Sequence, residues 1–408
     1  MKNKKFCITI TLLTILLIYI TNITTIPKKI VLFQNENFNI SHVKGIELEG
    51  NLKSIEENVL KKISTINSEI VGNIKLKLTA LGMIPIKDIT VSVIPQTMVI
   101  PSGKAVGLKV YSKGVLIIGE SEVDGIDGKK YKPYEKANVK KGDLILEFDG
   151  EKIETTDELI KAVRKSRGEL TNIVVEREGE KIETSIQAVK AIDDNNYKIG
   201  LWVRDGTMGI GTTTFYNPNT GDFVALGHGV SDLDTGKMIE LEHGTLNKVN
   251  LISVLPSKKS NPGEIVGTLD SFNEYGEIIK SDETGIYGKI YDYRKEDFIT
   301  AAPVPVASRN EIELGKATLL CTLDNEKIEE FEIEIQRKYS NSEAEAKSMI
   351  VKILDEDLIS KTGGIVQGMS GSPILQNGKL VGALTHVFVN DPVRGFAVYA
   401  DTMIDNKI

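Results

Sequence analysis

Lys361 to Pro392 reads KTGGIVQGMSGSPILQNGKLVGALTHVFVNDP. At its centre, Gly368-Met-Ser-Gly-Ser-Pro-Ile374 sets a serine among glycines, behind Gly363-Gly364. Glycines let a backbone turn sharply, expose the hydroxyl and leave N–H groups free to face a substrate carbonyl. Ser370 is the candidate nucleophile. The segment is not the elbow of α/β-hydrolases, because Ser372 replaces the final Gly of G-x-S-x-G and a Pro-led strand follows instead of a helix. A tight turn of small residues would explain a bare Gly-x-Ser but not the whole segment.

A serine hydroxyl needs a base at neutral pH, and the chain has four histidines. His42 lies in the stretch after the N-terminal apolar segment, and His386 is on the strand after the serine loop, where side chains usually pack. His243, in LEHGTL, is held in reserve. His228, in FVALGHGVSD, ends an apolar strand between two glycines and is preferred. A carboxylate should hold the imidazole in its productive tautomer. Asp355, ending the expected strand Met349–Leu354, is preferred over Asp232 and Asp357; the bland reading of each is an exposed loop carboxylate.

Outward from that site, the 408 residues carry 41% hydrophobic and 26% charged side chains, which suits folded cores and excludes wholesale disorder. The formal net charge is −7 with no basic block, which disfavours nucleic acid as a partner. The two cysteines, Cys7 and Cys321, leave no Cys-rich metal site and no internal disulfide to expect. Phe6 to Ile26 is 21 residues without a charge, flanked by lysines, and is long enough to span a bilayer as an uncleaved signal-anchor. Everything after about residue 30 would then be extracytoplasmic.

Ser54–Ile66 carries a capping-box pattern and helical spacing, and Ile74–Leu78 and Ile89–Val93 alternate as strands do. Strands are expected at Val106–Tyr111, Val115–Ile118, within Lys140–Ile153 about an Asp149-Gly150 turn, at Asn172–Val175 and at Lys181–Ile186. A helix capped by Thr155 and Glu158 interrupts them. From Tyr197 onward, short β-like runs at Gly209–Phe215, Phe223–Leu226, Ala317–Thr322, Phe331–Ile335, Met349–Leu354 and Leu380–Val389 suggest a sandwich or barrel.

AxxKKGDLILEFDGEKI followed by a helix resembles a PDZ domain of the kind attached to bacterial proteases. That resemblance implies a peptide added as a strand beside Val106–Tyr111 and packed on the Thr156–Ser166 helix; a closed, unused groove is the alternative. The serine loop and the order His, Asp, Ser resemble chymotrypsin-like proteases, which implies oxyanion N–H groups from Gly368 and Ser370.

Together with GTTTFYNPNTGDFVALGHGVSD (Gly211–Asp232), these segments resemble the stage IV sporulation protein B (SpoIVB) family. The implied fold is mainly β: a membrane helix (1–26), a spacer (27–100), a PDZ-like domain (101–190) and a chymotrypsin-like double-barrel serine peptidase (191–408). The family's catalytic residues fall on His228, Asp355 and Ser370, with no metal or cofactor required. Implied partners are the chain itself, through self-cleavage, and the membrane-bound regulatory subunit of an intramembrane metalloprotease that activates the late mother-cell sigma factor. The implied location is the forespore intermembrane space. An HtrA-like quality-control protease and a catalytically inactive PDZ adaptor are the rival readings.

Overall fold

A computed structural model describes residues 29–34, 36–39, 46–50, 65–67, 71–80, 84–292, 301–324, 327–339 and 345–405. The apolar segment Phe6–Ile26, His42 and most of the helix expected at Ser54–Ile66 lie outside those residues; Thr65–Asn67 is a short strand. Among the described residues no helix is long and apolar enough to cross a membrane.

The described residues are mainly β, with two six-stranded barrels and a PDZ domain. The strands that build them are β1 (Ala105–Glu120), β2 (Leu144–Phe148), β3 (Leu170–Arg177), β4 (Glu180–Gln187), β5 (Leu201–Tyr216), β6 (Asp222–Ala225), β7 (Leu241–Leu255), β8 (Glu264–Asp282) and β9 (Gly285–Ile290). They continue with β10 (Gly315–Cys321), β11 (Glu329–Lys338), β12 (Met349–Ile353), β13 (Pro373–Gln376), β14 (Lys379–Phe388) and β15 (Asp391–Tyr399). The first barrel runs β1-β7-β8-β9-β6-β5 and closes by pairing β5 with β1. The second runs β10-β11-β12-β15-β14-β13 and closes through Thr318 and Leu375.

The Val106–Tyr111 and Val115–Ile118 runs are one strand, β1. Its first half pairs with β5 on one side (Val106 with Gly211) and with β7 on the other (Leu108 with Leu246). Its second half enters the PDZ sheet, where Leu116 pairs with Leu144 and β2, β3 and β4 follow in antiparallel order. Hydrogen bonding therefore crosses the boundary expected at residue 190: Ala105–Ser112 belongs to the first barrel, and the PDZ strands are inserted between β1 and β5. It also corrects the peptide site. Val106–Tyr111 has both edges paired, so no strand can add there.

Local expectations in the PDZ segment hold. Asp149 and Gly150 both take positive φ in the turn after β2, and helix α1 (Thr156–Lys165) starts with a complete Thr155–Glu158 capping box. Asp143 of the KKGD motif is buried and accepts hydrogen bonds from Arg177 Nε (2.7 Å), Arg177 Nη2 (2.7 Å) and the Lys140 N–H, so it ties β3 to the start of β2. Residues before the barrels are built in as well: Phe33, on the Lys29–Phe33 strand, is buried with Phe215, Val224, Tyr287, Leu380 and Val398.

Within β1, a Cβ on Gly114 would stand 2.4 Å from the Ile145 carbonyl oxygen, a backbone atom that cannot swing aside. Gly114→Ala is expected to lower stability by about 1–3 kcal/mol through overpacking, read as a lower urea midpoint.

Candidate active site

The serine loop joins helix α2 (Glu356–Thr362) to β13 and is pressed against the first barrel. The Thr212 N–H donates to the Ser370 carbonyl (2.9 Å), and the Thr212 hydroxyl donates to the Gly368 carbonyl (2.8 Å). On the other side the Gly371 N–H donates to Leu384 O and the Leu384 N–H to Ser372 O. Gly371, at φ +96°, is needed: a Cβ would lie 2.0 Å from the Thr212 carbonyl oxygen. Ser370 is half-buried and its hydroxyl donates to the Thr385 carbonyl at 2.7 Å. Ser372 is fully buried with no partner for its hydroxyl among the described residues, so it cannot meet a substrate. The N–H groups of Gly368 and Ser370 donate to no acceptor among the described residues, while their neighbours Met369, Gly371 and Ser372 are all paired.

His228 follows β6 through Leu226 and Gly227, both left-handed at φ +66° and +69°. A side chain on Gly227 would meet the Thr385 methyl at 2.9 Å, so the histidine loop and the serine loop close on the same stretch of β14. His228 is half-buried, and its Nδ1 lies 2.8 Å from the Gly229 carbonyl. A carbonyl only accepts, so Nδ1 carries the proton and Nε2 keeps its lone pair. Burial pushes the His228 pKa below the usual histidine value, with the Gly229 hydrogen bond opposing it.

The structure brings in one residue that pattern reading set aside. His386, next to Thr385 on β14, packs on His228 with ring centroids 4.8 Å apart and planes at 39°. The other candidates stand elsewhere. His243 is exposed on β7 and stacks on Tyr111 at 4.5 Å. Asp232 is buried and fully engaged by Arg204 Nη1 (2.8 Å), the Thr235 N–H and hydroxyl, and the Asp234 N–H. Asp357 is exposed in the first turn of α2.

Asp355 does not end a strand; it is the N-cap of α2, its carboxylate accepting the Leu358 N–H at 2.9 Å. It shares no hydrogen bond with His228, and among the described residues no carboxylate does. The cap was readable as Asp followed by Glu356 and Asp357 in a first turn. The second site, the PDZ groove, lies between α1 and the start of β5. It is lined by Leu159, Ile160 and Val163 on one wall and Gly200, Leu201 and Trp202 on the other, with a volume of about 550 Å³.

A glycine-bounded serine, a histidine with a free Nε2 and two unpaired amides between two barrels define a serine peptidase with an inserted PDZ domain. The chain belongs to the SpoIVB peptidase S55 family, whose profile matches residues 195–404, just over half of it, and a PDZ domain profile matches residues 106–188. Among solved structures, the PDZ domain of the SdrC-like protein Lmo2051 from Listeria monocytogenes is similar at 20% identity and TM-score 0.19, covering 22% of this chain and 87% of that one. The Rv3671c protease of M. tuberculosis H37Rv, in an inactive form and as a Ser343Ala mutant, is similar at 11% identity. TM-scores are 0.28 and 0.26, covering 48% of this chain and 81% and 78% of those. No curated protein matches.

Asn caps helices as well as Asp does, whereas Ala does not. Asp355→Asn is therefore expected to keep kcat/KM within about tenfold, and Asp355→Ala to lose about 1 kcal/mol of stability. A fall of about 10⁴ in the Asn variant at unchanged Tm would put the carboxylate on His228 in the working enzyme.

Proposed function

We propose that this chain is a membrane-anchored signalling endopeptidase of sporulation. It cleaves itself and the regulatory subunit of an intramembrane metalloprotease, in the space between the two forespore membranes. Family membership supports the sporulation role, the PDZ groove supports a protein substrate held as an added strand, and Phe6–Ile26 supports the anchor.

The observation that carries the catalytic reading is the meeting of two loops, one from each barrel, at Thr385. Ser370 donates to its carbonyl, and Gly227, beside His228, lies so near that an added Cβ would meet its methyl at 2.9 Å. In this reading the Ser370 hydroxyl turns from Thr385 to His228 Nε2. Oγ adds to the scissile carbonyl as its proton passes to Nε2, and the Gly368 and Ser370 amides receive the oxyanion. Collapse breaks the C–N bond, His228 returns the proton to the leaving amine, and water repeats the sequence to release the acyl group and regenerate Ser370. Asp355, the acidic member by motif, supports the site through the helix it caps, which leads directly into the serine loop.

The test is the full chain with a fluorophosphonate and with itself as substrate. Ser370→Ala is expected to lose labelling and self-cleavage, and His228→Ala to slow both by at least about a thousandfold; unchanged labelling of Ser370→Ala would sink the assignment. Degradation of unfolded casein at a rate matching self-cleavage would favour a quality-control protease instead.

The pH dependence follows from the base. His228 must be neutral to accept a proton, and its pKa lies below the usual value. Activity should hold as pH falls through about 6.5 and be lost only at lower pH, as His228 becomes protonated. A kcat/KM profile with its acid midpoint above about 6.5 would contradict this.

A further inference from the structure

We propose that His386 is a positioning residue for the peptidase reaction, its neutral ring packed on His228 to hold the base in place and to stabilise the imidazolium that forms when Ser370 attacks. The proposal rests on the reading of Ser370 and His228 given above. A buried carboxylate usually performs this task, and here none hydrogen-bonds to His228 among the described residues. The neighbour that is present is an imidazole at 4.8 Å between centroids, inside the roughly 6 Å over which an aromatic face attracts a cation.

Three features fit a ring that stays uncharged. His386 is exposed on one side, yet partial desolvation, the nearby His228 and the Lys347 ammonium hold it below the usual histidine range, which favours its neutral form at the pH where the base works. Two imidazoles this close cannot both be protonated without strong repulsion, which reserves the positive charge for His228. The backbone next to His386 is fixed as well: Thr385 takes the Ser370 hydroxyl on its carbonyl and donates its own hydroxyl to Ala346 at 2.7 Å. His386 thus stands on the same two-residue stretch as the resting place of the nucleophile. The groups facing the pair are the Gly229 carbonyl on His228, and Lys347, from the turn Glu345–Lys347, on His386.

The test reads proton transfer to His228 without substrate binding. A fluorophosphonate forms an Oγ–P bond with Ser370, fluoride leaves, and the hydroxyl proton passes to His228. Second-order labelling rates of the full chain are compared for the parent, His386→Ala, His386→Gln and His386→Phe, each with its Tm. The expectation is that the Ala and Gln variants label about tenfold more slowly at unchanged Tm, and that Phe, which keeps an aromatic face and cannot titrate, restores most of the rate. Ala and Gln variants labelling at the parent rate would overturn the proposal. So would a Phe variant as slow as Ala, which would assign the role to a ring nitrogen. Labelling of Ser370→Ala at the parent rate would remove the nucleophile itself, and the role of His386 with it.

Discussion

The antiparallel ladder between β1 and β5 is the constraint on which the other parts depend. It closes the first barrel, and beyond Gly114 the same two strands carry the PDZ sheet. β5 runs from Leu201, on the wall of the peptide groove, to Thr212, whose amide and hydroxyl hold the carbonyls of Ser370 and Gly368. At about 3.3 Å per residue the two ends are about 36 Å apart along a continuous strand. A substrate segment added beside Leu201 and a scissile bond at Ser370 would therefore be referred to one rigid element, with no flexible linker between recognition and chemistry.

Backbone hydrogen bonds rather than charges assemble the catalytic loops. Thr212, Leu384 and Thr385 between them hold the Ser370 loop, and Gly229 holds His228. The carboxylate nearest to His228 in sequence, Asp232, has its lone pairs taken by Arg204 and by the turn that it caps. A carboxylate with four donors is stabilised where it is, and moving it toward an imidazole would leave Arg204 uncompensated. The chain order His, Asp, Ser is thus compatible with the peptidase family without dictating a hydrogen-bonded triad in this arrangement.

Short-range chemistry was legible in the residues. The Thr155–Glu158 box, the Asp149-Gly150 turn and the Gly-rich setting of Ser370 each act within a few positions, and each has the expected geometry. The long strands β7 and β8 were not anticipated, because their pairing shifts at Leu246/Asn247, Asn247/Lys248 and Leu251/Ser253. Each irregularity breaks the period-two alternation by which a strand is recognised. Val106–Tyr111 reads correctly as a strand and wrongly as a free edge, since its partners Gly206–Gly211 and His243–Asn247 lie far along the chain, as Gly211 from Val106 and His243 from Tyr111. Asp355 reads as the end of a strand because a helix cap and a strand-end carboxylate look alike after an apolar run. Nothing local in THVF shows that the His386 ring meets His228.

The pairing of His228 with a neutral ring has an electrostatic logic of its own. A carboxylate partner would have to be desolvated in the resting enzyme, a cost recovered only when the imidazole is charged. A neutral imidazole carries no such resting penalty, and its attraction for His228 appears only as the proton moves from Ser370. The interaction is weaker than an ion pair, but it is made in the transition state and not in the ground state, and only that difference accelerates a reaction. In the resting arrangement the Ser370 hydroxyl lies on Thr385 and not on His228, so the ring pair is already in place before the nucleophile turns toward it.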